Sequence, residues 1–151
     1  MKKFIYPVIL IPDKKDGGFV VKFIDFPEAI TQGENIEDTL CQASDCLEES
    51  IANRIVRKLS IPIPSPIKKN QYPVSLRVQM AAKAVLYIAI KETGISKVEL
   101  AKRLNCSEKE IRRLIDPRHF SKIPRIEAAL FALGKRLTIS SESIKEFKAA
   151  A

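Results

Sequence analysis

Residues 95 to 115 read ISKVELAKRLNCSEKEIRRLI, and the spacing predicts two short helices around a tight turn. Val98, Leu100, Ala101 and Leu104 form the buried face of the first helix, and Ile111, Leu114 and Ile115 that of the second. Ala101 falls where the two helices cross closely, a position that admits only a small side chain. Asn105 sits at the turn, where the chain often needs positive φ; after glycine, asparagine tolerates this best. Ser107 then caps the second helix, and Glu110 three residues on completes a capping box. This is the helix-turn-helix pattern, whose second helix enters a DNA groove. On that reading Ser107, Glu108, Lys109 and Arg112 face the groove, while Arg113 and Lys97 contact phosphate. An ordinary helical hairpin with a solvated charged face is the plainer alternative. Turn residue, cap and apolar spacing all argue against it.

The charge distribution points the same way. From residue 71 onward there are 16 Lys and Arg against 8 Asp and Glu, whereas residues 1 to 70 carry 10 of each. The whole net charge of +8 therefore lies in the half that holds the motif. Cations clustered on one module are the footprint of phosphate contact. A basic surface also suits anionic lipid, but here the charges ride on a globular two-helix pattern, so DNA is favoured over membrane.

Composition excludes several classes. At 46% hydrophobic and 29% charged, the 151 residues read as one or two globular domains rather than a disordered chain. The longest apolar stretch without a charge, Ala84 to Ile90, is too short to span a bilayer. The N-terminal MKKFIYPVILIPDKK superficially resembles a signal peptide, but Pro7 and Pro12 break its apolar run and it lacks a small-residue cleavage site. Cys41, Cys46 and Cys106 match no zinc or redox spacing and read as reduced packing residues, which places the chain in the cytoplasm.

Outward from the motif, the first half reads as strands and then a helix. Residues 3 to 11 and 19 to 26 are β-branched and aromatic, joined by the turn DKKDGG, and predict a hairpin. Pro7 lacks a ladder donor, which predicts an edge strand or a bulge there. A third short strand includes Ile30 and Thr31 and ends at Gly33. Asn35 caps a long helix whose apolar residues recur at 36, 40, 43, 47, 51 and 55, with acids in its first turn and bases in its last. Four prolines in residues 60 to 73 mark a semi-stiff junction, part of it available as an edge strand. A helix from about Val78 to Glu92 opens the second domain. Another follows Pro124 and ends at Gly134, and residues 137 to 139 predict a short strand. The expected organisation is a domain of residues 1–70 and a helix-turn-helix DNA-binding and dimerisation domain of residues 71–151. Phe131, Leu137 and Ile139 are the candidate dimer contacts, because one such motif covers too little DNA for a specific site.

The stretch FIDFPEAITQGENIEDTLCQASDCLEESI resembles the HicB family of antitoxins. The family pattern is an aromatic-x-Asp-x-Pro segment, a Thr-x-Gly and an acidic helix, here Phe23, Asp25 and Pro27, then Thr31 and Gly33, then Glu37 through Leu47. One branch of that family carries a helix-turn-helix tail, so the resemblance covers nearly the whole chain. It implies an α+β chain: an N-terminal partial ribonuclease H-like β-β-β-α-β domain without nuclease activity, followed by an all-α helix-turn-helix domain. It also implies the antitoxin of a type II toxin–antitoxin system. Such an antitoxin masks a HicA-type mRNA-cleaving ribonuclease and represses its own operon through operator double-stranded DNA, as a homodimer or tetramer. Between Asp13 and Glu49 there are ten acids and three bases, an acidic surface suited to a cationic RNA-binding enzyme. The candidate toxin contacts are Asp25, Phe26, Pro27, Glu28, Glu37, Asp38, Asp45, Glu48 and Glu49. A solvated helix face is the bland account of many of these acids.

No catalytic, cofactor or metal site is expected. Asp13, Asp16 and Asp25 lie near one end of the hairpin, but Asp13 and Asp16 are better explained by the turn beside Gly17 and Gly18. His119, the one histidine, has no Cys, Ser or second His beside it in any motif and reads as a phosphate contact or loop packing. The alternative function is a ligand-sensing transcription regulator without a toxin partner; an enzyme with an accessory DNA-binding domain comes third.

Overall fold

The computed structural model describes residues 3–144. Its element order is β1 (Ile5–Pro12), β2 (Phe19–Phe23), β3 (Ile30–Gly33), α1 (Ile36–Val56), β4 (Tyr72–Ser75), α2 (Val78–Thr93), α3 (Lys97–Arg103), α4 (Glu108–Ile115) and α5 (Ile123–Ala132). The chain is thus mixed α+β, with a four-stranded antiparallel sheet in the order β3-β2-β1-β4.

The strands bury alternate residues. Tyr6 and Val8 on β1, Val21 and Phe23 on β2, and Val74 on β4 face one core. Against them α1 lays Ala43, Leu47, Ile51 and Ile55, the period-four stripe expected from the sequence. Asn35 caps α1, its side chain accepting from the Asp38 amide at 2.9 Å. Gly33 ends β3 directly under α1: a Cβ there would come within 2.5 Å of the Thr39 Cα. Only a residue without a side chain lets strand and helix approach so closely.

One expectation about the sheet needs correction. Pro7 lies not on an edge but on the inner strand β1, opposite Pro73 of β4. This is tolerated because the Pro7 carbonyl accepts from Ile24 N–H at 3.2 Å just past the end of β2, where the ladder is already running out. The closing edge strand begins inside the proline-rich junction, part of which was expected to be available as one. Tyr72–Ser75 pairs with Ile5–Val8, and Leu76 N–H donates to the Phe4 carbonyl at 2.9 Å.

Helix α2 belongs to both halves. Ala84 and Tyr87 pack into the sheet core, while Ala82, Leu86 and Ala89 pack into a second core with Leu100, Ala101, Ile111, Leu114, Ile126 and Leu130. Its left-handed cap Gly94 stops it before α3, and α5 has Pro124 in its first turn and a left-handed Gly134 past its end. Residues 137–139, expected as a short strand, carry no strand pairing; Leu137 packs instead against the second core. No helix of the described residues is long and apolar enough to cross a membrane.

Candidate functional site

The α3–α4 unit is built from local hydrogen bonds. Ser96 caps α3, accepting from Glu99 N–H at 3.1 Å. The helix unwinds at Leu104, and Asn105 takes φ 49°, the left-handed value its position was expected to need. Cys106 N–H returns to the Ala101 carbonyl at 3.0 Å, which satisfies a carbonyl at the end of α3. Ser107 Oγ accepts from Glu110 N–H at 3.2 Å, and Ser107 N–H donates to Glu110 Oε2 at 2.9 Å, the reciprocal capping box. That backbone N–H, with the Ser107 hydroxyl, holds the Glu110 carboxyl below the usual carboxylate range.

Leu100, Ala101, Ile111 and Leu114 are buried as expected. Val98 is not: it is 48% exposed, in the first turn of α3, where it lines an open hollow with Ala101, Asn105 and Glu108. Lys97, Ser107, Glu108, Lys109, Arg112 and Arg113 are all exposed, and on α4 they form one continuous outward face. Arg112 and Glu108 sit 3.6 Å apart on that face, one turn apart along the helix.

The base of this unit rests on a buried cation that the sequence reading did not single out. Lys83 of α2 is 1% exposed, and its ammonium donates to the carbonyls of Arg113 (3.1 Å) and Leu114 (2.7 Å) and to Ser121 Oγ (2.7 Å). It therefore caps the last turn of α4, where a positive charge meets the negative end of the helix. Burial pushes its pKa down to about 8, opposed by the nearby Asp116 carboxylate. Its one trace in the sequence is a lone lysine inside the apolar run AAKAVLYIAI.

The candidate toxin contacts are dispersed by the fold. Phe26 is fully buried, its ring edge-on to Tyr6 at 4.9 Å with the Arg54 guanidinium 5.1 Å above it, and it offers no surface to a partner. A ring set between β2 and β3 is taken up by the core beneath that turn. Asp25 does not make a local turn bond: it accepts from Ser65 N–H at 2.9 Å and from the Ser65 hydroxyl at 2.5 Å. Glu28 pairs with Arg54 at 2.7 Å, and Arg54 also donates to the Ser60 carbonyl at 2.9 Å. Tyr6 donates to the Pro62 carbonyl and Tyr87 to the Leu59 carbonyl, and burial raises the Tyr6 hydroxyl well above its ordinary range. The Asp25–Glu28 turn thus fastens the proline-rich segment to the sheet.

On α1, Asp38 accepts from Glu34 N–H at 2.9 Å while Glu37 is exposed. Arg77 bridges Asp45 (2.7 Å) and Glu48 (3.1 Å), which keeps its guanidinium firmly protonated. Glu49 pairs with Arg118, beyond α4. The acidic helix face therefore meets arginines from the basic half, which charge counting by segment did not reveal.

Among the described residues no three His, Cys, Asp or Glu side chains gather into a metal site, and all three cysteines are free. Asp13 accepts from the amides of Lys15 and Asp16, a turn role. His119 is exposed in the loop after α4.

Residues 5–85 match the family described as HicB-like antitoxin of bacterial toxin–antitoxin systems. The chain is 35% identical over 134 residues to Antitoxin HicB of Escherichia coli strain K12, covering 89% of this chain and 96% of that protein. It is 34% identical over 142 residues to Antitoxin HicB 1 of Photorhabdus laumondii, covering 94% and 90%. Antitoxin HicB of Pseudomonas fluorescens is 31% identical over 131 residues, covering 86% and 90%.

Proposed function

The chain belongs to the HicB-like antitoxin family, and we propose that it masks a HicA-type mRNA-cleaving ribonuclease with its N-terminal half and represses its own operon with its C-terminal half. The observation that carries the reading is the outward face of α4, with Lys109, Arg112 and Arg113 exposed on a capped helix joined to the unit that matches the family. A cationic helix presented this way suits entry into the major groove of operator double-stranded DNA. The order β1-β2-β3-α1-β4 supports a partial ribonuclease H-like description of the first half, and the capped α3–α4 pair supports a helix-turn-helix description of the second. Family membership favours a regulatory role over a catalytic one. Pro27, Glu28, Glu37 and Asp38 form the outward part of the proposed toxin surface. Phe131, at 79% exposed, and Ile139, at 69%, support assembly into a homodimer or tetramer.

A cleft of about 790 Å³ favours a second reading, the ligand-sensing regulator. It lies between the proline-rich segment and α2 and is lined by Phe4, Ile61, Pro64, Tyr87 and Ile88. A small basic reading frame beside the gene would favour the antitoxin and its absence the regulator, and co-expression with such a frame, scored by growth and pull-down, separates the two. The antitoxin reading expects growth arrest by the neighbour alone, rescue by this chain and co-purification of both. For the DNA half, Arg112→Ala should cost about 1–3 kcal/mol on the specific site and relax one base position, whereas Arg113→Ala should weaken specific and random duplexes alike. Equal losses on both duplexes for both variants would contradict the assignment.

A further inference from the structure

Beyond α4 the chain presents Phe120 to solvent at 74% exposure, within the loop Asp116–Lys122. An isolated phenylalanine ring in a loose loop would mean little, but this loop is fastened on both sides of the ring. Asp116 Oδ1 accepts from Arg118 N–H at 2.9 Å, the Asp116 carbonyl accepts from His119 N–H at 3.2 Å, and Pro117 is buried. After the ring, Ser121 is 8% exposed; its hydroxyl accepts from Lys83 and its carbonyl from Gln79 Nε2 at 2.9 Å. The backbone is thus held from α2 while the ring points away from the protein.

The surroundings are cationic. Phe120 shares a hollow of about 190 Å³ with Arg113, His119, Lys122, Arg125 and Glu110. Glu110 is already engaged by Ser107 N–H and lies 3.4 Å from Arg125, so three basic side chains face one committed carboxylate. Arg118 is turned away to Glu49. A single ring among cations does not match an apolar protein pocket, which would favour a broader apolar patch and fewer charges. It does match a nucleic-acid backbone, where deoxyribose carbons alternate with phosphates.

We propose that the Asp116–Lys122 loop is a second DNA contact, in which the Phe120 ring packs on deoxyribose and Lys122 and Arg113 meet the flanking phosphates. The proposal rests on the reading of α4 as the groove-entering helix. That helix places its N-terminal residues on the bases, so the loop at its C-terminal end lies against the strand bordering the groove. Such a contact strengthens binding without reading sequence.

The full chain is titrated against the duplex immediately upstream of its own operon and against a scrambled duplex, with sedimentation of each protein alone. Phe120→Ala should weaken binding to both duplexes about five- to tenfold, the loss of burial of roughly one ring face, without changing the salt slope. Phe120→Tyr, which keeps the ring, should bind like the native chain, and Lys122→Ala should lower the salt slope by about 1. If Phe120→Ala binds like the native chain while Arg112→Ala loses the specific site, the loop contact is wrong and the role of α4 stands. If Phe120→Ala changes the oligomer mass, with affinity falling only in proportion, the ring is a contact between copies and the proposal is overturned. If the native chain binds neither duplex, both the proposal and the reading of α4 fall.

Discussion

Lys83→Met is the perturbation that best isolates a single interaction in this fold. Methionine fills nearly the same volume in the second core but can donate nothing to the carbonyls of Arg113 and Leu114 or to Ser121 Oγ. Two opposed quantities decide the outcome. Each acceptor left buried and unpaired costs about 1–3 kcal/mol. Against this, the native protein holds an ammonium out of water, at an expense measured by its depressed pKa. The side chain titrates at 10.5 when unfolded and at about 8 when folded, so between those values the unfolded chain binds more protons. Native stability attributable to Lys83 therefore rises with pH across this window and is lost as pH falls through about 8. Converted at the usual free energy per pH unit, the full rise is at most about 3 kcal/mol.

At neutral pH, then, three unpaired acceptors are set against a relieved desolvation of at most about 3 kcal/mol, and the methionine variant should be less stable than the native chain by about 0–6 kcal/mol. Near pH 10 that relief is gone, and the gap should widen by about 2–3 kcal/mol. Urea unfolding followed by far-ultraviolet circular dichroism at pH 7, 8, 9 and 10 measures the gap directly. Every other ionisable group is common to both proteins and drops out of the difference. Parallel stability curves for the two proteins would refute the reasoning, since they would mean that Lys83 carries no proton-linked cost.

Truncation after residue 70 should leave the N-terminal half unfolded, because it removes β4 together with Val74, Leu76, Ala84 and Tyr87 from the sheet core. A chain ending after Gly94 should regain cooperative unfolding by circular dichroism; a cooperative transition in the shorter chain would show that β4 is dispensable. Gly33→Ala should destabilise the protein by about 1–3 kcal/mol or prevent folding, because the new methyl meets the Thr39 backbone as well as its hydroxyl and the backbone cannot swing aside, and a native denaturation midpoint would count against this close approach.

How much of this was legible in the sequence depended on the range of the interaction. The capping box of Ser107 and Glu110, the left-handed Asn105, the Asn35 cap and the stripe on α1 all depend on neighbours within a few residues, and each appears where the pattern placed it. What failed was long-range. Tyr72–Ser75 holds a proline and follows three others, so its local pattern is that of a linker with an edge strand somewhere in it; only the partner Ile5–Val8 decides which residues pair. Phe26 lies in an exposed-looking turn, yet the sheet beneath takes its ring. Asp25 reaches Ser65 across 40 residues, a pairing that no local spacing reports. Lys83 was missed for the same reason: a single cation in an apolar helix invites a surface placement, and its three acceptors lie 30, 31 and 38 residues away along the chain.

The acidic face of α1 illustrates why segment-by-segment charge is a poor guide to a partner surface. Asp45 and Glu48 hold Arg77, and Glu49 holds Arg118, so part of the negative patch is spent within the chain. These pairs are solvent-exposed and worth about 0–1 kcal/mol each. By contrast, burying Leu86 or Tyr87 of α2 stabilises by about 1.5–3 kcal/mol apiece, so α2, not the ion pairs, holds the two halves together. Charge reversal at Glu49 would leave the fold standing while freeing Arg118 from its partner and repelling it. A loss of toxin binding or a change in DNA binding after that reversal would then mix two causes. Glu37 lies in the first turn of α1, away from both arginines, and Asp38 serves the cap through Glu34 N–H. Reversal at Glu37 alone therefore tests the acidic surface without disturbing the junction: toxin pull-down should weaken, and an unchanged pull-down would make Glu37 a solvated residue only.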